Sequence, residues 1–288
     1  MQNYAIYTDS ACDISPEVLA KWGVPCVNLT FRFEDDGVEH SNNDFPTPEF
    51  YNRMRAGGVA KTSAVNVENF KQFFEPALKE GTDLLYLGFS SGLSNTCNAG
   101  QLAANELLEQ YPDRRIIVVD TLAASAGFGL LVYLAVQKRD AGESIEEVAK
   151  YVTDHRDHLC HWFTVDDLVY LKRGGRISSA AALVGSVLGI KPVLHVDNEG
   201  HLISMTKARS RKAALKELAN KYTELAIDPK AGPVFISHGD CLDDAKRLGD
   251  MLLAQHGVEV DLYTYVGPVI GAHSGPGTLA LFFLGKEK

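Results

Sequence analysis

The chain has 288 residues, 45% of them hydrophobic and 23% charged, a balance that excludes a disordered or low-complexity protein. It carries 28 lysines and arginines against 37 aspartates and glutamates, a net charge of −9, and so lacks the basic footprint of a nucleic-acid binder. At roughly 150 residues per domain the length predicts two domains.

An apolar run over residues 4–8 ends in Asp9-Ser10 and predicts a first strand. Ser15 and Pro16 then supply the cap and first turn of a helix. Residues 24–33 are β-rich around Pro25, and a polar loop over 34–47 leads to a helix from Pro48-Glu49. Phe70, Phe73, Phe74 and Leu78 give 67–79 a helical period. Strand-type runs over 83–89 and 115–119 are each followed by a turn and a helix, the first to about Gln110 and the second to about Lys138. This rhythm predicts a parallel sheet covered by helices on both faces. The rhythm then changes. Strands are expected over 161–165, 193–196, 202–207, 234–237, 260–266 and 279–283, with helices over 178–188, 211–224 and 240–256. The fold class is α/β: an N-terminal parallel-sheet domain over 1–158 and a C-terminal α/β domain with a mixed sheet over 159–288.

The longest uncharged stretch, 262–284, is broken by Pro268, Pro276 and four glycines, and reads as loops and short strands instead of a membrane span. The first residues show neither a basic segment nor an apolar core, so no signal peptide is expected. Five widely spaced cysteines read as free thiols in a reducing cytoplasm.

Several motifs carry chemical alternatives. Gly57-Gly58-Val59-Ala60-Lys61-Thr62 resembles the end of a phosphate-binding loop, but Ala60 stands where glycine must precede the lysine, and no strand is predicted before it. His155, His158, Cys160 and His161 are possible metal ligands, with His155 and His158 on one helical face. No second close-spaced cluster completes a site, and exposed histidines in a domain connection are the simpler reading. Gly88-Phe89-Ser90-Ser91-Gly92 follows a strand and precedes a helix, as a nucleophile elbow does. With Asp120 and His273 it gives the order of a serine hydrolase or acyl thioesterase. The alternative is a serine turn whose hydroxyls and N–H groups cap a helix and bind an anion. Two basic islands, around Arg176 and Arg209, suggest a positive patch for an acidic partner or a phosphate. Residues 267–278 hold four glycines and two prolines with His273 at the centre, which marks the histidine as a site residue.

Taken together, Thr8-Asp9-Ser10, Thr62-Ser63, Ser90-Ser91-Gly92-Leu93-Ser94, the run from Asp167 through Arg176, and residues 267–278 resemble the DegV family nearly end to end. That family includes the FakB subunits of bacterial fatty acid kinase. The resemblance implies a carrier, not an enzyme, that holds one long-chain fatty acid in a tunnel between its domains and needs no other cofactor. It implies that the carboxylate meets the hydroxyls of Thr62 and Ser94, with His273 close by and Ser63 and Ser91 adjacent. It further implies a separate ATP-binding kinase subunit, docking near Arg176 and Arg209, and an acyltransferase that receives the acyl phosphate. Val65 and Asn95 depart from the family pattern, which has proline and glycine at these places. Physical chemistry agrees with a lipid ligand. At ~0.8 kcal/mol per buried methylene, a chain of about 16 carbons gains on the order of 11 kcal/mol before ordering costs. A buried carboxylate without donors cancels several kcal/mol of that.

Overall fold

The computed structural model describes residues 4–177 and 189–288, so the helix expected over 178–188 lies outside the described residues. Strands β1 (Tyr4–Asp9) and β2 (Cys26–Val27) pair in parallel, and β3 (Thr30–Phe33), β4 (Glu39–Ser41) and β5 (Ala60–Ser63) form a small antiparallel sheet in the order β4-β3-β5. With β6 (Asp83–Gly88) and β7 (Ile116–Asp120), the first two make an all-parallel sheet ordered β2-β1-β6-β7. Six more strands follow: β8 (Leu159–Thr164), β9 (Lys191–Val196), β10 (Leu202–Ala208), β11 (Phe235–His238), β12 (Leu262–Tyr265) and β13 (Leu279–Leu284). They form a sheet ordered β10-β9-β8-β13-β11-β12, antiparallel except for the β11–β12 pair. The expected parallel and mixed sheets are both present.

Local chemistry sets the element boundaries. Ser15 accepts a hydrogen bond from the Val18 N–H and starts the helix Pro16–Trp22, which Gly23 ends at φ 62°. Asn66 does the same for the helix Val67–Lys79, whose predicted bounds hold. β6 and β8 are buried at every position, which is why they read as continuous apolar runs without alternation.

Among the elements that differ from expectation are two strands and two helices. The loop over 34–47 contains β4, and the glycine-lysine-threonine stretch folds into β5, where Lys61 pairs with Glu34 at 2.7 Å. These strands are short, and their polar side chains hide the alternation that marks a half-buried strand. A helix at Ile145–Arg156 is started by a capping box between Ser144 and Glu147. The fourth is the helix Pro268–Ser274, in a segment read as loops and short strands. Pro268 opens it, and Gly275 closes it at φ 81°.

One helix holds the molecule together. Ser125–Asp140 is buried on nearly every face and packs against β1 and against β8, β11 and β13. Gly127 and Gly129 permit that approach: a Cβ on Gly127 would lie 2.5 Å from the His161 and Phe282 rings, and one on Gly129 2.5 Å from Ile14. The helix Pro268–Ser274 is tied to the N-terminal half in turn. Tyr51 donates to the Val266 carbonyl at 2.7 Å, and Asn42 accepts from the Val269 N–H at 2.9 Å.

Candidate functional site

Against the mixed sheet lies a cavity of about 290 Å³, close to the lower end of ligand pockets at roughly 300–1,000 Å³. Phe89 and Leu93 line it from the N-terminal half, and Phe163, Val196, Leu202, Ala280 and Phe282 from the mixed sheet. These apolar groups are mostly buried, whereas Ser63 and Asn95 at one end are exposed and Thr62 and Ser94 half-buried. The polar end therefore faces solvent, and the apolar part runs inward.

At that end the fold brings together residues more than two hundred positions apart. Thr62 Oγ1, on β5, lies 2.9 Å from His273 Nε2, on the helix Pro268–Ser274. Burial, and next the nearby Arg176 charge, lower the His273 pKa from 6.5 to about 4, so the ring is neutral at pH 7. Its buried Nδ1 has no hydrogen-bond partner among the described residues. Gly174 backs the ring so closely that a Cβ there would lie 2.1 Å from Nδ1. The Ser94 hydroxyl lines the cavity, bonds Thr96 Oγ1 at 2.9 Å and accepts from the Thr96 N–H at 3.3 Å, just before the helix Thr96–Gln110.

The other expected site residues are placed differently. Ser63 lines the cavity; Ser91 is exposed outside it, its N–H bonded to Asp120 Oδ1 at 3.2 Å. Arg176 is half-buried in the cavity wall. It donates to the Leu93 carbonyl at 3.2 Å and to the Gly174 carbonyl, and so joins the basic turn to the serine turn. Arg209 is exposed between β10 and the helix Arg211–Leu225. Of the two departures from the family pattern, Asn95 adopts φ −78°, ψ 4°, which any residue can take, and Val65 is buried.

The residues of the hydrolase alternative have other partners. Ser90 Oγ is buried and donates to the Gly200 carbonyl at 2.9 Å, while Asp120 Oδ1 accepts from the Ser91 and Leu122 N–H groups. No hydrogen bond links Ser90, Asp120 and His273 among the described residues. The histidine-cysteine segment also disperses. His155 stacks on Tyr151, Cys160 donates to the Glu287 carbonyl at 3.2 Å, and His161 is buried at the inner cavity wall.

Sequence reasoning missed that inner wall. Ser125, Ser237 and His161 place polar atoms within an apolar chamber. The helix-start position of Ser125 and the strand position of Ser237 gave no signal that both face one space.

Comparison with known proteins places this geometry in context. The family model described as "Uncharacterised protein, DegV family" matches residues 3–286. A DegV domain-containing protein of Clostridium perfringens is 43% identical over 289 residues, covering 100% of this chain and 99% of that relative. The structure of a fatty-acid-binding DegV family protein from Thermus thermophilus matches with a TM-score of 0.89 at 31% identity, over 99% of this chain and 100% of that one. The fold is also that of the Streptococcus pneumoniae fatty acid kinase B3 protein loaded with linoleic acid (TM-score 0.85, 21% identity, 99% of each chain).

Proposed function

The chain belongs to the DegV family, and from that premise we propose that it binds a long-chain fatty acid in the cavity and presents the carboxylate to a separate ATP-dependent kinase. In this reading the chain catalyses no step itself. A carboxylate oxygen attacks the γ-phosphorus of ATP held by the kinase, ADP leaves, and the acyl phosphate passes to an acyltransferase.

The observation that carries the reading is the Thr62–His273 pair at the solvent-facing end of an apolar cavity. A neutral imidazole and hydroxyls offer a carboxylate hydrogen bonds without burying a second full charge. Arg176 adds the single cation among the described lining residues. Thr62 and Ser94 are the proposed carboxylate ligands, with Ser63 beside them.

Titration of delipidated protein with a fatty acid tests the reading. Thr62→Val and Ser94→Ala are each expected to weaken binding by roughly 1.5–3 kcal/mol, the range for a lost charge-assisted bond. Wild-type affinity in both variants would move the carboxylate elsewhere.

The kinase is proposed to dock over the basic islands. Arg209 is exposed and free to meet it, whereas Arg176 already holds two carbonyls. Arg209→Glu is expected to leave lipid affinity unchanged, slow acyl-phosphate formation with the cognate kinase, and flatten its salt dependence. Unchanged turnover would remove Arg209 from the docking face.

A further inference from the structure

The cavity has a second polar pole that binding of a plain acyl chain does not use. Ser237 Oγ, on β11, lies 3.0 Å from Ser125 Oγ, which donates to Asp13 Oδ2 at 2.5 Å. Asp13 Oδ1 accepts from the Gly267 N–H at 3.0 Å. Asp13 and Ser125 both sit at left-handed φ, 52° and 53°, a backbone cost that persists only where surrounding contacts hold it. Both serines line the cavity.

The helix Pro268–Ser274 measures the separation of the poles. Its capping residue Gly267 bonds Asp13, and His273 near its other end bonds Thr62. Six residues at 1.5 Å rise put these anchors roughly 9 Å apart. A ligand held by its carboxylate at Thr62 and His273 thus lays the middle of its chain against Ser237 and Ser125, past the apolar walls.

Hydrogen-bond accounting identifies what fits there. Ser237 Oγ has one partner among the described residues, Ser125, and an alkyl chain would cover its remaining capacity without replacing it. His161 at the same wall offers nothing. Its Nε2 lies 3.5 Å from the Ala124 N–H, and its Nδ1 3.2 Å from the Leu159 carbonyl. Ser237 therefore leaves polar capacity in this wall unspent. When Asp13 is ionised, the hydroxyl chain points toward it and Ser237 presents a lone pair; when Asp13 holds a proton, the chain reverses and Ser237 presents an O–H. A hydroxyl meets both states because it donates and accepts.

We propose that Ser237, held by Ser125 and Asp13, is a specificity site for fatty acids carrying a mid-chain hydroxyl group, an inference that rests on the fatty-acid reading above. The test compares delipidated wild type, Ser237→Ala and Ser237→Cys, titrated with stearate and with monohydroxystearates whose hydroxyl moves along successive mid-chain carbons. Wild type is expected to bind one positional isomer at least as tightly as stearate. Both variants are expected to lose roughly tenfold in affinity for that isomer relative to stearate. A merely structural Ser237 would move both ligands together. The isosteric cysteine carries the comparison if alanine impairs folding. Rejection of every hydroxylated isomer by wild type, or an unchanged hydroxystearate-to-stearate ratio in the variants, overturns the specificity site and leaves the fatty-acid reading standing. Failure of both stearate and the hydroxystearates to bind overturns both.

Discussion

His273 shows how a single residue is tuned by its surroundings. An imidazole buried beside a guanidinium loses more on protonation than it gains, so its folded pKa falls to about 4 from 6.5. Between those values the unfolded chain binds more protons than the folded one. The stability that His273 contributes is therefore complete above pH 6.5 and lost as pH falls toward 4. Asp13 works in the opposite sense. Burial lifts its pKa from 3.8 to about 7, so its contribution is present at low pH and lost as pH rises through 7. The two effects overlap in a melting curve, and a variant separates them. In delipidated protein the melting-temperature advantage of wild type over His273→Gln is expected to shrink steadily from pH 7 to pH 4.5. A difference that stays constant over that range would mean that His273 titrates normally. Among the missed residues, Ser125 and Ser237 were not legible because a serine at a helix start or in a strand most often bonds locally.

At the scale of elements, the helix Pro268–Ser274 does the most to build the site. Its seven residues read as loop because they lie in a segment, 267–278, with four glycines and two prolines. Yet proline at the first position and glycine just past the end are helix boundary signals. Gly275 is needed twice over: its φ is 81°, and a Cβ would lie 2.3 Å from the Tyr170 ring. Gly275→Ala is expected to destabilise the protein by roughly 1–3 kcal/mol and to weaken fatty-acid binding by displacing His273. Chemical denaturation and lipid titration check the two effects, and wild-type values in both would show that this terminus bears no load. The Ile145–Arg156 helix was legible in principle, since Ser144 and Glu147 have the spacing of a capping box.

For the molecule as a whole, the cavity is bounded by the mixed sheet, by β5 and by the start of the helix Ser125–Asp140, which packs against both large sheets, so occupancy and global stability are linked. A ligand that binds the folded chain alone, at a hundred times its Kd, adds about 2.7 kcal/mol. For a chain of this size each kcal/mol shifts the melting temperature by roughly 2–4 °C. Loading delipidated protein with a long-chain fatty acid is therefore expected to raise its melting temperature by about 5–10 °C, measured by scanning calorimetry. No shift at saturating lipid would separate the cavity from the stability of the fold. Among the described residues, no helix is long and apolar enough to cross a membrane.

The sequence alone determined the elements whose signals are local. Periodic phenylalanines, serine and asparagine caps and the strand–turn–helix rhythm specify the parallel sheet, and the change of rhythm specifies the mixed one. Its resemblance to the DegV family also implied Thr62, Ser94 and His273 as one site. The tertiary structure decided the rest. Only packing brings β5 against the helix Pro268–Ser274 to close Thr62 onto His273, buries Ser90 against Gly200, and draws Arg176 into the cavity wall. Only packing sets Asp13, Ser125 and Ser237 in one chain across three distant segments. The physical reason is that hydrogen-bond partners and desolvation belong to neighbours in space, whereas propensity and capping belong to neighbours in sequence.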